Sequence, residues 1–157
     1  MTPHLATDGT PARVLIVDDD QDNRELLQIM LRWEGFVTAT AESGREALAT
    51  VKERPPHVVL VDLMMPDMDG YEVVRRMKGG ALTKNIVVVI VSAMSDKASQ
   101  LAALAAGADD FLSKPVNRLD LSARVKKLVD AQAAEPVCAG SSVLLESDPI
   151  VARQVVR

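Results

Sequence analysis

The chain has 157 residues, 48% of them hydrophobic and 25% charged, with a formal net charge of −4. That is enough apolar material for a core without disulfide or metal staples, and the acidic balance offers no field to draw in nucleic acid or anionic lipid. The longest apolar run, residues 86–91, is too short to span a bilayer.

Residues 1–11 lack the basic-then-apolar order of a secretory signal, and their Thr, Pro, Gly and Asp content reads as a flexible leader. The domain proper is expected over 12–133. Its first apolar run, 14–17, is followed by a helix over about 22–34 that stops at Gly35, with Leu26, Leu27, Met30 and Leu31 on one face. Residues 36–41 alternate more than the other runs and suit an edge strand. Ser43-Gly44-Arg45-Glu46 is a capping box that opens a second helix burying Ala47, Leu48 and Val51, and Pro55-Pro56 ends it. The run 58–61 precedes a helix that starts near Gly70 and frays at Gly79-Gly80. The run 86–91 precedes an Ala-rich helix over about 97–106 that ends at Gly107. The last run, 110–112, leads to a helix capped by Asn117 that carries Leu121, Val125, Leu128 and Val129 on one stripe.

Five β-α units imply parallel strands joined by right-handed crossovers. Runs rich in Val, Ile and Leu without alternation suit strands covered on both faces. The expected fold is α/β: a doubly wound five-stranded parallel sheet of flavodoxin-like order 2-1-3-4-5, with five helices. Such sheets gather function at the carboxyl ends of their strands. Chemically capable residues stand there: Asp18-Asp19-Asp20 after the first run, Asp62 after the third, Ser92 after the fourth and Lys114-Pro115 after the fifth. An Asp run alone is usually a solvated turn, but convergence from several strand ends is not expected of a solvated surface. Three carboxylates close together repel and raise one another's pKa unless a cation neutralises them. With oxygen ligands and neither Cys nor His nearby in sequence, a hard ion such as Mg²⁺ fits. A divalent ion, an ammonium and a hydroxyl around one carboxylate suit an incoming phosphoryl group, which the carboxylate attacks in line.

At this point a family resemblance is visible. Val14-Leu15-Ile16-Val17-Asp18-Asp19-Asp20, Val61-Asp62-Leu63-Met64-Met65-Pro66-Asp67-Met68-Asp69-Gly70, Val91-Ser92-Ala93 and Gly107-Ala108-Asp109-Asp110-Phe111-Leu112-Ser113-Lys114-Pro115 together resemble the receiver domain of two-component response regulators. The resemblance spans about residues 12–131 and implies a response regulator module in a cytoplasmic phosphorelay. It makes Asp62 the phosphoacceptor, with Mg²⁺ bound by Asp19, Asp62 and the Met64 backbone carbonyl, and by Asp18 through water. It puts Lys114 on the phosphoryl group and makes Ser92 and Phe111 the switch pair, with a cis Lys114-Pro115 bond. The implied partners are a histidine kinase or phosphotransfer protein, a downstream output domain or partner protein, and a second copy through the fourth helix, fifth strand and fifth helix. Neither nucleic acid nor membrane is expected to be bound by this chain. The module is not an enzyme beyond promoting its own phosphoryl transfer and autodephosphorylation.

Two rivals differ in class. A haloacid-dehalogenase-like Mg²⁺-dependent phosphatase carries its nucleophile after the first strand, in an Asp-x-Asp motif; Asp18 and Asp20 have that spacing, but Gln21-Asp22 follow instead of small residues. A pseudo-receiver that only binds partners is disfavoured by the intact Asp18, Asp19, Asp62, Ser92 and Lys114. Blander roles are expected for several other residues. Asp20 reads as a charge at a helix start, Met64, Met65 and Met68 as packing, His4 and His57 as solvent histidines, and Lys126-Lys127 as an exposed helix face. The lone Cys138 cannot form an internal disulfide, which fits a reducing cytoplasm. Residues 134–142 read as a linker. Beyond it Val143-Leu144-Leu145-Glu146-Ser147-Asp148 aligns without a gap on Leu15-Ile16-Val17-Asp18-Asp19-Asp20, so residues 143–157 read as the truncated start of a second, degenerate receiver.

Overall fold

The computed structural model describes residues 2–134; apart from Ala134, the expected linker lies outside them, as do the second-receiver start and Cys138. The strands are β1 (Arg13–Val17), β2 (Val37–Ala41), β3 (Val58–Asp62), β4 (Val87–Ser92) and β5 (Asp110–Ser113). They alternate with α1 (Gln21–Trp33), α2 (Gly44–Glu53), α3 (Gly70–Gly79), α4 (Lys97–Ala106) and α5 (Arg118–Ala134). The sheet has the order β2-β1-β3-β4-β5 and all its pairings are parallel.

Successive residues of the inner strands serve opposite faces, which is why the sequence shows no alternation there. Leu15, Val17, Val59, Val61, Val88 and Ile90 meet Ala47, Val51, Val73, Met77 and Ala103 on the side of α2, α3 and α4. Val14, Ile16, Val58, Leu60 and Val89 meet Leu27, Leu31, Leu121, Val125 and Val129 on the side of α1 and α5. The predicted stripe of α5 is thus the buried one, with Leu128 only partly covered. On α1, Leu27 and Leu31 are buried but Leu26 stays 52% exposed.

The helix ends obey local chemistry. The Asp20 carboxylate accepts from the Asn23 amide, so Asp20 caps α1 as well as charging its first turn. Ser43 caps α2 through the Glu46 amide, while the Glu46 side chain accepts from the Glu42 amide, one residue before the cap. Gly35 and Gly107 take the positive φ expected after α1 and α4.

The amino-terminal segment differs from a loose leader. Leu5 bridges Pro11, the His4 amide donates to the Gly35 carbonyl and the Ala12 amide to the His4 carbonyl, and Ala6 is buried in the α1-α5 cluster. Neither histidine is a solvent residue. The His4 ring packs on Phe36 at 5.3 Å and reaches Asp130 of α5 at 3.3 Å. His57 Nδ1 accepts from the Arg13 amide at 2.9 Å, so its other nitrogen is the donor facing Asp8 at 3.4 Å. Two hydrogen bonds from Thr10 lower the Asp8 carboxyl from 3.8 to about 2. Gln132 donates to the His57 carbonyl, tying α5 to the same corner. Lys126 is also not free, since it pairs with Glu34, which accepts from Ser122 and Arg118 as well.

These contacts give His57 a structural duty. Replacing it by alanine leaves the Arg13 amide without its acceptor at the foot of the sheet, which costs about 1–3 kcal/mol. The His57→Ala protein should therefore unfold at lower urea with an unchanged slope. An unaltered midpoint would show that water replaces the ring without loss.

Candidate functional site

Strand register builds the rim. Val17 and Val61 are partners across β1 and β3, so the residues that follow them, Asp18 and Asp62, stand abreast on neighbouring strands. Ser92 ends β4 and is the partner of Ser113 on β5, after which comes Lys114. The Lys114 amide donates to the Ser92 carbonyl at 2.8 Å, and the Leu63 amide to the Val91 carbonyl at 3.2 Å. The carboxyl ends of four strands are thereby tied laterally, and each delivers one expected group to one place.

Asp18, Asp19 and Asp62 each offer an oxygen within 4.8 Å of the others. Asp18 and Asp62 are 2% and 8% exposed while Asp19 is open to solvent, so the cluster is a cleft with a dry floor and a wet lip. Lys114 Nζ lies 3.0 Å from an Asp62 oxygen and 3.4 Å from an Asp18 oxygen. The Asp18 carboxylate also accepts from the Asp20 amide, and the Asp18 carbonyl accepts from Arg24 at 2.7 Å.

The charges do not balance. Burial pushes the Asp62 carboxyl above its ordinary 3.8; the Lys114 hydrogen bond opposes this, and repulsion from Asp18 and Asp19 adds to the rise. Burial works against the Lys114 ammonium, but its bonds to Asp62 and Asp18 outweigh that and lift its pKa. One ammonium among three carboxylates leaves room for a further positive charge, and an all-oxygen donor set suits a hard divalent cation.

Ser92 is fully buried, and its hydroxyl oxygen accepts from the Met94 amide at 2.9 Å. Phe111 on β5 is half buried against the α2-α3-α4 cluster. The Met64 side chain is 63% exposed, whereas Met65 and Met68 are buried, so two of the three methionines expected to pack do so. Lys114-Pro115 is cis. Two supporting contacts are not legible in the sequence, one from Arg24 and one at Gly70, the expected start of the third helix. Arg24 fixes the turn after β1 through a carbonyl, a contact that no sequence spacing advertises. Gly70 begins α3 so close to β3 that an added Cβ would meet the Asp62 carbonyl oxygen at 2.8 Å and the Leu63 Cα at 2.9 Å.

Fold and site together define a doubly wound α/β domain whose carboxyl rim holds an acidic cleft answered by a single lysine. Residues 14–126 match the family described as response regulator receiver domain, and the chain belongs to that family. It is 40% identical over 117 residues to the response regulator PleD of Caulobacter vibrioides, covering 74% of this chain and 26% of that protein. It is 39% identical over 124 residues to the DNA-binding response regulator MtrA of Mycobacterium tuberculosis, covering 79% of this chain and 53% of that protein. The chain thus spans about a quarter to a half of these relatives. Among solved structures, a CheY-like response regulator receiver domain protein of Methanospirillum hungatei superposes with a TM-score of 0.74 at 30% identity, covering 80% of this chain and 98% of that one. The chemotaxis protein CheY4 of Vibrio cholerae gives 0.71 at 29% identity, covering 74% and 98%. Receiver domains are phosphoacceptor switch modules rather than enzymes in their own right, and nothing in the matches favours the phosphatase or the pseudo-receiver. No helix among the described residues is long and apolar enough to cross a membrane.

The imbalance at Asp62 has a measurable sign. A carboxyl whose pKa is higher folded than unfolded leaves stability intact below 3.8 and removes it as pH rises above that value. In chelator, Asp62→Asn should therefore unfold at higher urea than the parent at pH 7, with the gap closing near pH 3.5. A parent protein that is more stable than the variant at neutral pH would contradict the rise assigned to burial and to repulsion from Asp18 and Asp19.

Proposed function

We propose that Asp62 is the residue that takes the phosphoryl group, within a cytoplasmic phosphorelay fed by a histidine kinase or phosphotransfer protein. The observation that carries this reading is the 3.0 Å contact of Lys114 with Asp62 inside the cluster of Asp18 and Asp19. The Asp62 carboxylate oxygen attacks phosphorus in line, forming an O–P bond as the bond from phosphorus to the donor nitrogen breaks. Lys114 then holds a phosphoryl oxygen in place of part of its contact with Asp62. Asp19, Asp62 and the Met64 carbonyl would hold Mg²⁺ directly and Asp18 would hold it through water. That ion supplies the positive charge which the phosphoryl oxygens and the three carboxylates need. The wall beside Lys114, formed by Asn23, Leu26, Pro115 and Val116, gives the donor a partly apolar seat.

The switch follows from Ser92. Its hydroxyl oxygen now accepts from Met94, which leaves its proton free for a phosphoryl oxygen. Bonding there draws in the loop after β4 and lets Phe111 turn inward. The driving force is a contact that exists only in the phosphorylated state. The face that reads the change is α4, β5 and α5, where Leu101 and Leu104 are exposed and Arg124 bridges Asp110 and Asp120. This face is the proposed site for a second copy or an output partner. Residues 143–157 are proposed to begin a second receiver in which the Asp18-Asp19 pair is replaced by Glu146-Ser147, a weaker ion site that would serve as an adaptor.

With Mg²⁺ and acetyl phosphate the chain should gain one acid-labile phosphoryl group by intact mass. Asp62→Asn should gain none and Asp19→Ala should label far more slowly. Equal labelling of the asparagine variant would overturn the assignment. Beryllofluoride should shift amide resonances of residues 93–111 and of α5 as well as those near Asp62. A response confined to the neighbourhood of Asp62 would remove the switch.

A further inference from the structure

We propose that the open edge of the sheet at β2 is a docking groove for an extended acidic peptide strand of a partner protein. Three independent features meet there.

The first is unpaired backbone. Among the described residues β2 is the outermost strand on its side. The Val37 amide donates to the Ala12 carbonyl and the Ala41 carbonyl accepts from the Asp18 amide, so the odd-numbered residues of β2 turn their polar groups toward β1. Alternation leaves the amides and carbonyls of Thr38 and Thr40 pointing outward, a template for one more strand.

The second is shape. On the α2 side of this edge the helix does not cover the sheet, and a cavity of about 200 Å³ remains, floored by Val37 and Ala39 and walled by Thr50, Arg54 and Pro56. Val37 is 49% exposed. Every second side chain of an added strand would face this cavity, which fits one aliphatic residue.

The third is charge. The chain is acidic as a whole, yet the groove is lined by Arg13 and Arg54 and by no carboxylate. Arg32 of α1 flanks the same edge from the other face, with Nε 2.9 Å from Thr38 Oγ1. Among the described residues the Arg13 guanidinium reaches Thr10 and the Pro55 carbonyl and no carboxylate. None of these three guanidiniums forms an ion pair among the described residues, while Arg75, Arg76, Arg118 and Arg124 all do. A second copy pairing β2 with β2 would bring the arginines face to face, so the charge selects an acidic partner and rejects self-association.

The test uses the full chain and a fluorescent hexapeptide, Glu-Thr-Val-Thr-Glu-Thr, whose valine and two glutamates share the face turned to the cavity and to Arg13 and Arg54. It should bind with amide shifts centred on residues 37–41, weaken as salt rises, and lose about fivefold or more in affinity with Arg54→Glu. The same peptide N-methylated at alternate residues should not bind, a control that leaves the protein untouched. Thr40→Pro, tolerated at an outward edge position, should block binding while the labelling of Asp62 persists, which separates this surface from the acidic cleft. Failure of the peptide to shift residues 37–41 at millimolar concentration would overturn the proposal. Equal binding of the same peptide with lysine in place of both glutamates would overturn the choice of an acidic partner. Unchanged binding of the N-methylated peptide, or benzoate competing fully for the Arg54-dependent site, would make it a small-anion pocket and not a strand acceptor.

Discussion

Negative charge crowded at the dry end of a parallel sheet is the constraint around which this domain is arranged. β1 and β3 lie side by side in a register that sets Asp18 beside Asp62, and the strands are buried on both faces, so little water screens the pair. Lys114 answers part of that charge from β5, two strands away from β3 in the sheet order. The site is therefore a property of the sheet topology.

The surroundings of the cleft serve that arrangement. Gly70 lets α3 start against the backbone of Asp62, and Asp69 caps the helix through the Glu72 amide, so the loop carrying Met64 is held at both ends. Arg24 holds the turn after β1, and the lateral bonds from Lys114 to Ser92 keep β5 in step with β4. Ser92 and Phe111 are each only partly committed to their present contacts, one through its oxygen and the other through a partly buried ring. Groups held this way can be redistributed by a new ligand at low cost, as a switch requires.

The opposite end of the sheet is built for permanence. The amino-terminal residues, His57 and the last turns of α5 are joined by hydrogen bonds among His4, Asp8, Arg13, Asp130 and Gln132. α5 is anchored again at its first half by Glu34. The helix that forms part of the proposed signalling face is therefore fastened at both ends to α1 and the sheet, which leaves the loop after β4 and Phe111 as the less constrained parts of that face.

The sequence determined the β-α alternation, the helix stops at Gly35 and Gly107, the edge character of 36–41 and the strand-end positions of Asp18, Asp19, Asp62, Ser92 and Lys114. All of these are read from local chemistry or from the periodicity of burial, which are properties of neighbours in the chain. The tertiary structure alone decided what depends on distant residues meeting. It brought Lys114 to Asp62 across 52 positions, turned His57 from a presumed solvent residue into the acceptor for Arg13, and converted the leader into a clamp. It also gathered Arg13, Arg32 and Arg54 from separate elements around one open strand. Local sequence carries no signal for such contacts, because the free energy that selects them comes from the packing of the whole sheet and not from the segments that supply the side chains.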